Sequence, residues 1–98
     1  MNKHYILDGH KVVPVDLMTW AKWFEKEERH IAKSGDRDKT WVSTVFLGLD
    51  HQYGEGPPLL FETMIFGGEH DQYQERCSTW EQAQAMHKTA CKLAGIEP

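Results

Sequence analysis

The chain has 98 residues, with eleven Lys and Arg against fifteen Asp and Glu and 40% apolar side chains that include four Trp and four Phe. That length makes one domain over residues 1–98, burying about two-thirds of the surface its unfolded form exposes, so a modest core is feasible without staples. The net charge of −4 argues against duplex nucleic acid as a partner, because such affinity rests on basic side chains neutralising phosphates. No run approaches the ~20 apolar residues of a membrane span, and the opening "MNKHYILDGH" lacks the long apolar stretch of a signal peptide, so a soluble cytosolic protein is expected. Cys77 and Cys91 are too few for a disulfide framework or a closed zinc site, and in the cytosol they would stay reduced.

Taken in chain order, "HYILDGHKVV" (4–13) has the signature of a hairpin, with Asp8-Gly9 as the turn pair and Pro14 closing the second strand. Asp16 stands where an N-cap belongs, ahead of "LMTWAKWFEKEERHIAKSG" (17–35). Leu17, Trp20, Ala21, Phe24, Glu28 and Ile31 follow helical spacing there, Glu25 and Arg29 are one turn apart in the order that favours an ion pair, and Gly35 marks a stop. This predicts one long surface helix. "WVSTVFLGLD" (41–50) and "LLFETMIF" (59–66) are β-branched, aromatic and bounded by Gly and Pro, hence strands; "YQERC" (73–77) is a third strand after "GGEHDQ". "STWEQAQAMHKTACKLAG" (78–95) is the second helix. It starts on a capping box, Ser78 with Glu81 or Thr79 with Gln82, and its buried stripe runs through Trp80, Ala83, Met86 or His87, Ala90 and Leu93 or Ala94 to a stop at Gly95. The order is ββαβββα, an α+β fold with an antiparallel sheet of about five strands and two helices on one face.

Alternation along the strands assigns their sides. Trp41, Ser43, Val45, Leu47 and Leu49 share one side of the third strand, and Leu59, Phe61, Thr63 and Ile65 one side of the fourth; these sets make the better core and are placed under the helices. The reverse then carries Phe46, Leu60, Met64 and Phe66 around Thr44 and Glu62, with Arg76 or Gln74 arriving from the last strand. A solvated face has no need of so many large apolar groups, and contiguous apolar patches mark contact sites. Phe46, Leu60, Met64 and Phe66 are therefore expected to form a contact face, most simply with a second copy in a twofold dimer.

Between the two strong strands lies "DHQYGEGPP" (50–58), nine residues where a hairpin needs two. Pro57 and Pro58 stiffen its exit, Gly54 and Gly56 allow positive φ, and Asp50, His51, Gln52, Tyr53 and Glu55 place polar groups at the sheet edge. A shaped loop of that kind suits recognition, although a plain long hairpin loop fits the same residues.

Explicit chemistry is scarce. The loops holding His51 and His70 lie at opposite ends of the fourth strand, ~25 Å apart, so one chain cannot bring both to one ion. His87 and Cys91, one helical turn apart, offer a ligand pair with Cys77, but three ligands on a guessed geometry fall short of a zinc motif and more simply flank the core stripe. No G-x-S-x-G, G-x-x-x-x-G-K or H-E-x-x-H occurs. No metal, cofactor or catalytic residue is assigned. Glu62, an acid among apolar neighbours in mid-strand, is a candidate general acid or base, although a cross-strand pair with Arg76 is the commoner fate of such a residue.

The stretch "VSTVFLGLDHQYGEGPPLLFETMIFGG" (42–68), preceded by "ILDGHKVVPVDLMTWAKWFE" and followed by "YQERCSTWEQA", resembles a family of small proteins encoded by tailed bacteriophages and prophages. The likeness covers nearly the whole chain, and its most specific parts are the S-T-V-F-L-G-L-D-H core, the G-P-P-L-L-F-E-T-M segment and the S-T-W opening of the last helix. It brings no catalytic residues. It implies a setting in the host cytoplasm, where such proteins serve host takeover or counter-defence by blocking a host protein or sequestering a nucleotide signal. The expectation is thus a small phage-encoded binding protein without enzymatic activity. It would occupy a host protein or a small nucleotide-like ligand through Asp50, His51, Tyr53, Glu62 and Phe66. Two alternatives stand beside it: a small enzyme or nucleotide-processing protein using Glu62 with His51, and a minor virion or assembly component.

Overall fold

The computed structural model describes residues 3–52 and 54–98, and its class is α+β with two antiparallel sheets and two helices. Strands β1 (Tyr5–Asp8) and β2 (Lys11–Pro14) form the predicted hairpin, Asp8 facing Lys11 across a turn in which Gly9 takes φ +62°. Helix α1 (Leu17–Lys26) follows, then four strands in a meander, β3 (His30–Gly35), β4 (Trp41–Phe46), β5 (Phe61–Phe66) and β6 (Gln74–Cys77), and helix α2 (Trp80–Ala94). The single five-stranded sheet expected from the sequence is instead a pair plus a sheet of four.

The extra strand comes from the stretch read as the second half of the first helix. Asp16 caps α1 as expected, its carboxylate accepting the Thr19 N–H at 2.8 Å, which holds the carboxyl below the usual range. The helix then stops at Lys26, with Glu27 already extended. Glu28 turns its carboxylate back onto the His30 N–H at 2.9 Å, and from His30 the chain pairs with β4, with a register shift between His30 and Ala32. Pairing with β4 gives these backbone groups partners that a short exposed helix end would lack, and that outweighs the helical spacing of Ile31. Arg29 consequently leaves Glu25, and its guanidinium sits 3.8 Å from the centre of the Phe24 ring. Gly35 ends β3 rather than a helix, with φ +97°.

The β1–β2 hairpin is tied to the larger sheet by a continuation of β4. Past Phe46, the Leu47 N–H donates to the Leu60 carbonyl and the His51 N–H to Leu59, extending the β5 pairing. On its other side the same stretch meets the N-terminus: the Tyr5 N–H donates to Gly48 and the Asp50 N–H to Lys3, and His4 bridges to Leu49. Gly48 takes φ +76° there, and a Cβ on it would press into the rings of Trp20 and Phe24, so α1 docks on this junction.

The sides of the sheet follow the sequence reading for β5 and reverse it for β4. Phe61, Thr63 and Ile65 are buried, as are Val42, Thr44 and Phe46, because the register sets Phe46 opposite Phe61, Thr44 opposite Thr63 and Val42 opposite Ile65. Helix α2 lies across this side through Ala83, His87, Ala90 and Cys91, whereas α1 packs mainly on β1, so only one of the two helices lies across the sheet of four. Two apolar clusters result. One joins Val42, Ile65, Ala90 and Cys91; the other gathers Phe46, Leu60, Phe61 and Ala83, with the hairpin's Leu7 and Val12, and Trp23 of α1, against it. Phe46 and Leu60, assigned from the alternation to an outer contact face, are thus core, at 1% and 0% exposure.

Candidate functional site

The reverse of the four-stranded sheet is built by the residues that the β4–β5 register sets opposite one another: Trp41 and Phe66, Ser43 and Met64, Val45 and Glu62. Trp41 and Phe66 stack with ring centres 5.0 Å apart, and Arg37, from the turn after β3, brings its guanidinium 4.7 Å from the centre of the Trp41 ring. Trp41, Val45, Met64 and Phe66 stay partly exposed because α2 covers the other side. At the β6 edge the Arg76 Nε–H donates to Glu62 Oε2 at 3.0 Å, and the Gln74 side-chain amide donates to the same oxygen. With a guanidinium and an amide on one oxygen, Glu62 is engaged in a cross-strand pair, an arrangement that leaves it poorly placed to take a substrate's proton.

The residues expected to bind a partner fall into separate groups. Asp50 spends its carboxylate on the loop itself, Oδ1 accepting the N–H groups of Gln52 at 2.8 Å and Leu59 at 3.0 Å, which draws the neck of the 50–58 loop together. His51 sits at that neck and donates its backbone N–H to Leu59; Tyr53 lies outside the described residues. Glu62 is near the loop end of β5, whereas Phe66 is at the far end, five residues or ~17 Å from Phe61. Met64 and Phe66 do lie on the open face, together with Trp41 and Arg37, which sequence reasoning did not assign to it.

No family model, curated protein or solved structure matches the chain. The open face is therefore read from its own chemistry. Stacked aromatics, a guanidinium over a ring, and Met and Val beside them are groups that lose little conformational freedom or adapt their shape when covered.

A second constellation lies on the helix-covered side, and no motif or spacing announces it as a unit. His87 of α2, 4% exposed, holds a hydroxyl at each ring nitrogen: Ser34 Oγ lies 2.9 Å from Nε2 and Thr44 Oγ1 2.7 Å from Nδ1, and Thr44 is in turn 2.5 Å from Thr63 Oγ1. The network spans β3, β4, β5 and α2. Burial lowers the pKa of His87 from its ordinary 6.5, so the imidazole is neutral at pH 7. Cys91, one helical turn on, is pushed up by burial, with a hydrogen bond from Ser34 opposing that shift. Among the described residues no group of three or more His, Cys, Asp or Glu side chains is placed to hold a metal ion.

Proposed function

We propose that the protein is a small phage-encoded binding protein that works by occupying a host protein, with the open face of the four-stranded sheet as its contact surface. The observation that carries this reading is the Trp41–Phe66 stack under Arg37 on a sheet face that neither helix crosses. Aromatic residues, Met and Arg are the types that concentrate in the desolvated centre of protein interfaces, and they favour a protein over a small nucleotide-like ligand. Residues Asp50 and His51 shape the neck of the 50–58 loop. The resemblance of the 42–68 segment to small phage proteins supports host takeover or counter-defence in the host cytoplasm as the setting.

The test is affinity capture from infected host cells with the wild type and with a Trp41→Ser, Phe66→Ser double variant, each checked for an unchanged melting temperature. A saturable host partner captured by the wild type and lost with the variant is the expected result. Capture that survives loss of both rings removes the face from the proposal. A parallel panel of nucleotides, read for both retention and turnover, separates the alternatives. Turnover that disappears in Glu62→Gln replaces the binding reading with a nucleotide-processing enzyme, and retention without turnover makes the occupant a small ligand.

A further inference from the structure

The Ser34–His87–Thr44 chain has the parts list of a nucleophilic site. Acyl transfer by a hydroxyl needs a base within hydrogen-bond reach, a third group that fixes the base's tautomer, and room for the acyl carbon beside the nucleophile. The base, a hydroxyl on its other ring nitrogen and a cleft are all present. Ser34 Oγ lies 2.9 Å from His87 Nε2, and Thr44 Oγ1 lies 2.7 Å from Nδ1. A cleft of about 280 Å³ opens between β3 and α2 where Ala32, Lys33, Ser34, Gln84, His87 and Lys88 line it. The nucleophilic reading takes one of the two tautomers these contacts allow: Ser34 O–H donates to Nε2, which turns it away from Cys91, Nδ1–H donates to Thr44, and Thr44 O–H donates to Thr63. Ser34 is only partly buried, on an edge strand whose register shifts just upstream, between His30 and Ala32; such irregularities re-aim side chains beside functional sites.

We propose that Ser34 is a nucleophile, His87 its general base and Thr44 the positioning residue of an acyl-transfer site on the side of the sheet opposite the contact face. The site is independent of that face. Ser34 Oγ bonds to the carbonyl carbon of an ester while its proton passes to Nε2. The bond from that carbon to the alcohol oxygen then breaks, and His87 returns the proton to the departing alcohol. Water repeats the exchange on the acyl-Ser34, releasing the acid and restoring the hydroxyl. Gln84 and Lys88 carry the N–H groups an oxyanion requires, and the cleft sits just below the usual range of small-ligand sites, so the substrate class is an ester of a short acyl group. The titratable and charged groups on this side of the sheet include Lys88 and Cys91 on α2, Tyr73 against the Val42–Ile65 cluster, and Glu75, which β6 sets opposite Thr63; Lys33, at the rim of the cleft, is set opposite Ser43 of the open face, and the imidazole itself bonds only to hydroxyls.

The test uses the full chain, a fluorophosphonate probe that captures activated serines, peptide mapping of the adduct, and 4-nitrophenyl acetate as substrate. A single adduct on Ser34 is expected. Ser34→Ala, which trims one partly exposed hydroxyl, should fold and lose both labelling and hydrolysis. In the wild type the labelling rate should be level from neutral pH upward, because His87 is already neutral there, whereas attack driven by hydroxide climbs about tenfold per pH unit. His87→Gln should slow labelling by about 100-fold or more; if that variant does not fold, the wild-type pH profile decides. No adduct on Ser34 in the folded protein, labelling undiminished in Ser34→Ala, or a rate that tracks hydroxide would each overturn the proposal and leave the chain as a tie between α2 and the sheet.

Discussion

Protonating His87 in place would leave an imidazolium, 4% exposed, whose hydrogen-bond partners are two hydroxyls and no carboxylate. The unfolded chain takes up that proton near the ordinary pKa of 6.5, while burial delays it in the native state. The unfolded form therefore binds more protons in the window just below 6.5, and linkage makes stability fall as the pH falls through it, levelling off only below the native pKa. Urea midpoints taken from about pH 8 to about pH 5 should decline, and the part of that decline owed to this residue should be missing in His87→Gln. Thr44 and Thr63 differ in kind although both are fully buried. Thr44→Val strips a partner from both His87 and Thr63 and should cost about 1–3 kcal/mol in denaturant unfolding, whereas Thr63→Val removes only the end of the chain and should cost less.

Among the elements, α2 was legible because its signals are local and strong. Thr79 and Gln82 form the capping box, Gly95 closes the C-terminus in the left-handed region, and Ala83, His87 and Ala90 are buried as the spacing implies, joined by Cys91, which was expected only to flank the stripe. Strand β3 was not legible, since Ile31 continues the helical spacing of Trp20 and Phe24 and what turns the chain into a strand is a partner, β4, that follows it in sequence. The side of β4 was misread for a related reason. Trp41 and Val45 are bulkier than Thr44, but Val42 and Phe46 supply the apolar groups of the other side and the Thr44 hydroxyl meets His87 there, a partner that the strand's own alternation does not reveal. Half of the open face, Met64 and Phe66, could be read from β5 alone; Trp41 and Arg37 required the true register. Turns carry their own test. Gly67 takes φ +85° with its Cβ position against the Lys39 carbonyl, so Gly67→Ala should destabilise the chain by about 2 kcal/mol or more, read as a lower unfolding midpoint with α2 intact in the circular dichroism of the folded form.

At the scale of the whole molecule, one side of the sheet is closed by α2 and the hairpin and the other is left to whatever arrives. The open face holds cations and acids as well as rings, Lys33 and Arg37 against Glu62, so it has the means to meet a copy of itself in a twofold arrangement when no host partner is present. Static light scattering should show the mass rising from one chain toward two with concentration, and Trp41→Glu should hold it at one without altering the melting temperature. A mass that stays at one chain throughout restricts the face to partners of other sequence.

The stretch 47–50 serves two masters, lending one rim to β5 and the other to the opening residues. A chain shortened by its first fifteen residues would keep most of the larger sheet, yet it would present a naked backbone rim flanked by the greasy ground that Leu7 and Val12 now cover. Such a fragment is expected to be prone to edge-to-edge association. The N-terminal hairpin thus acts as a guard against self-templating, and its loss would be felt in solubility before it was felt in folding.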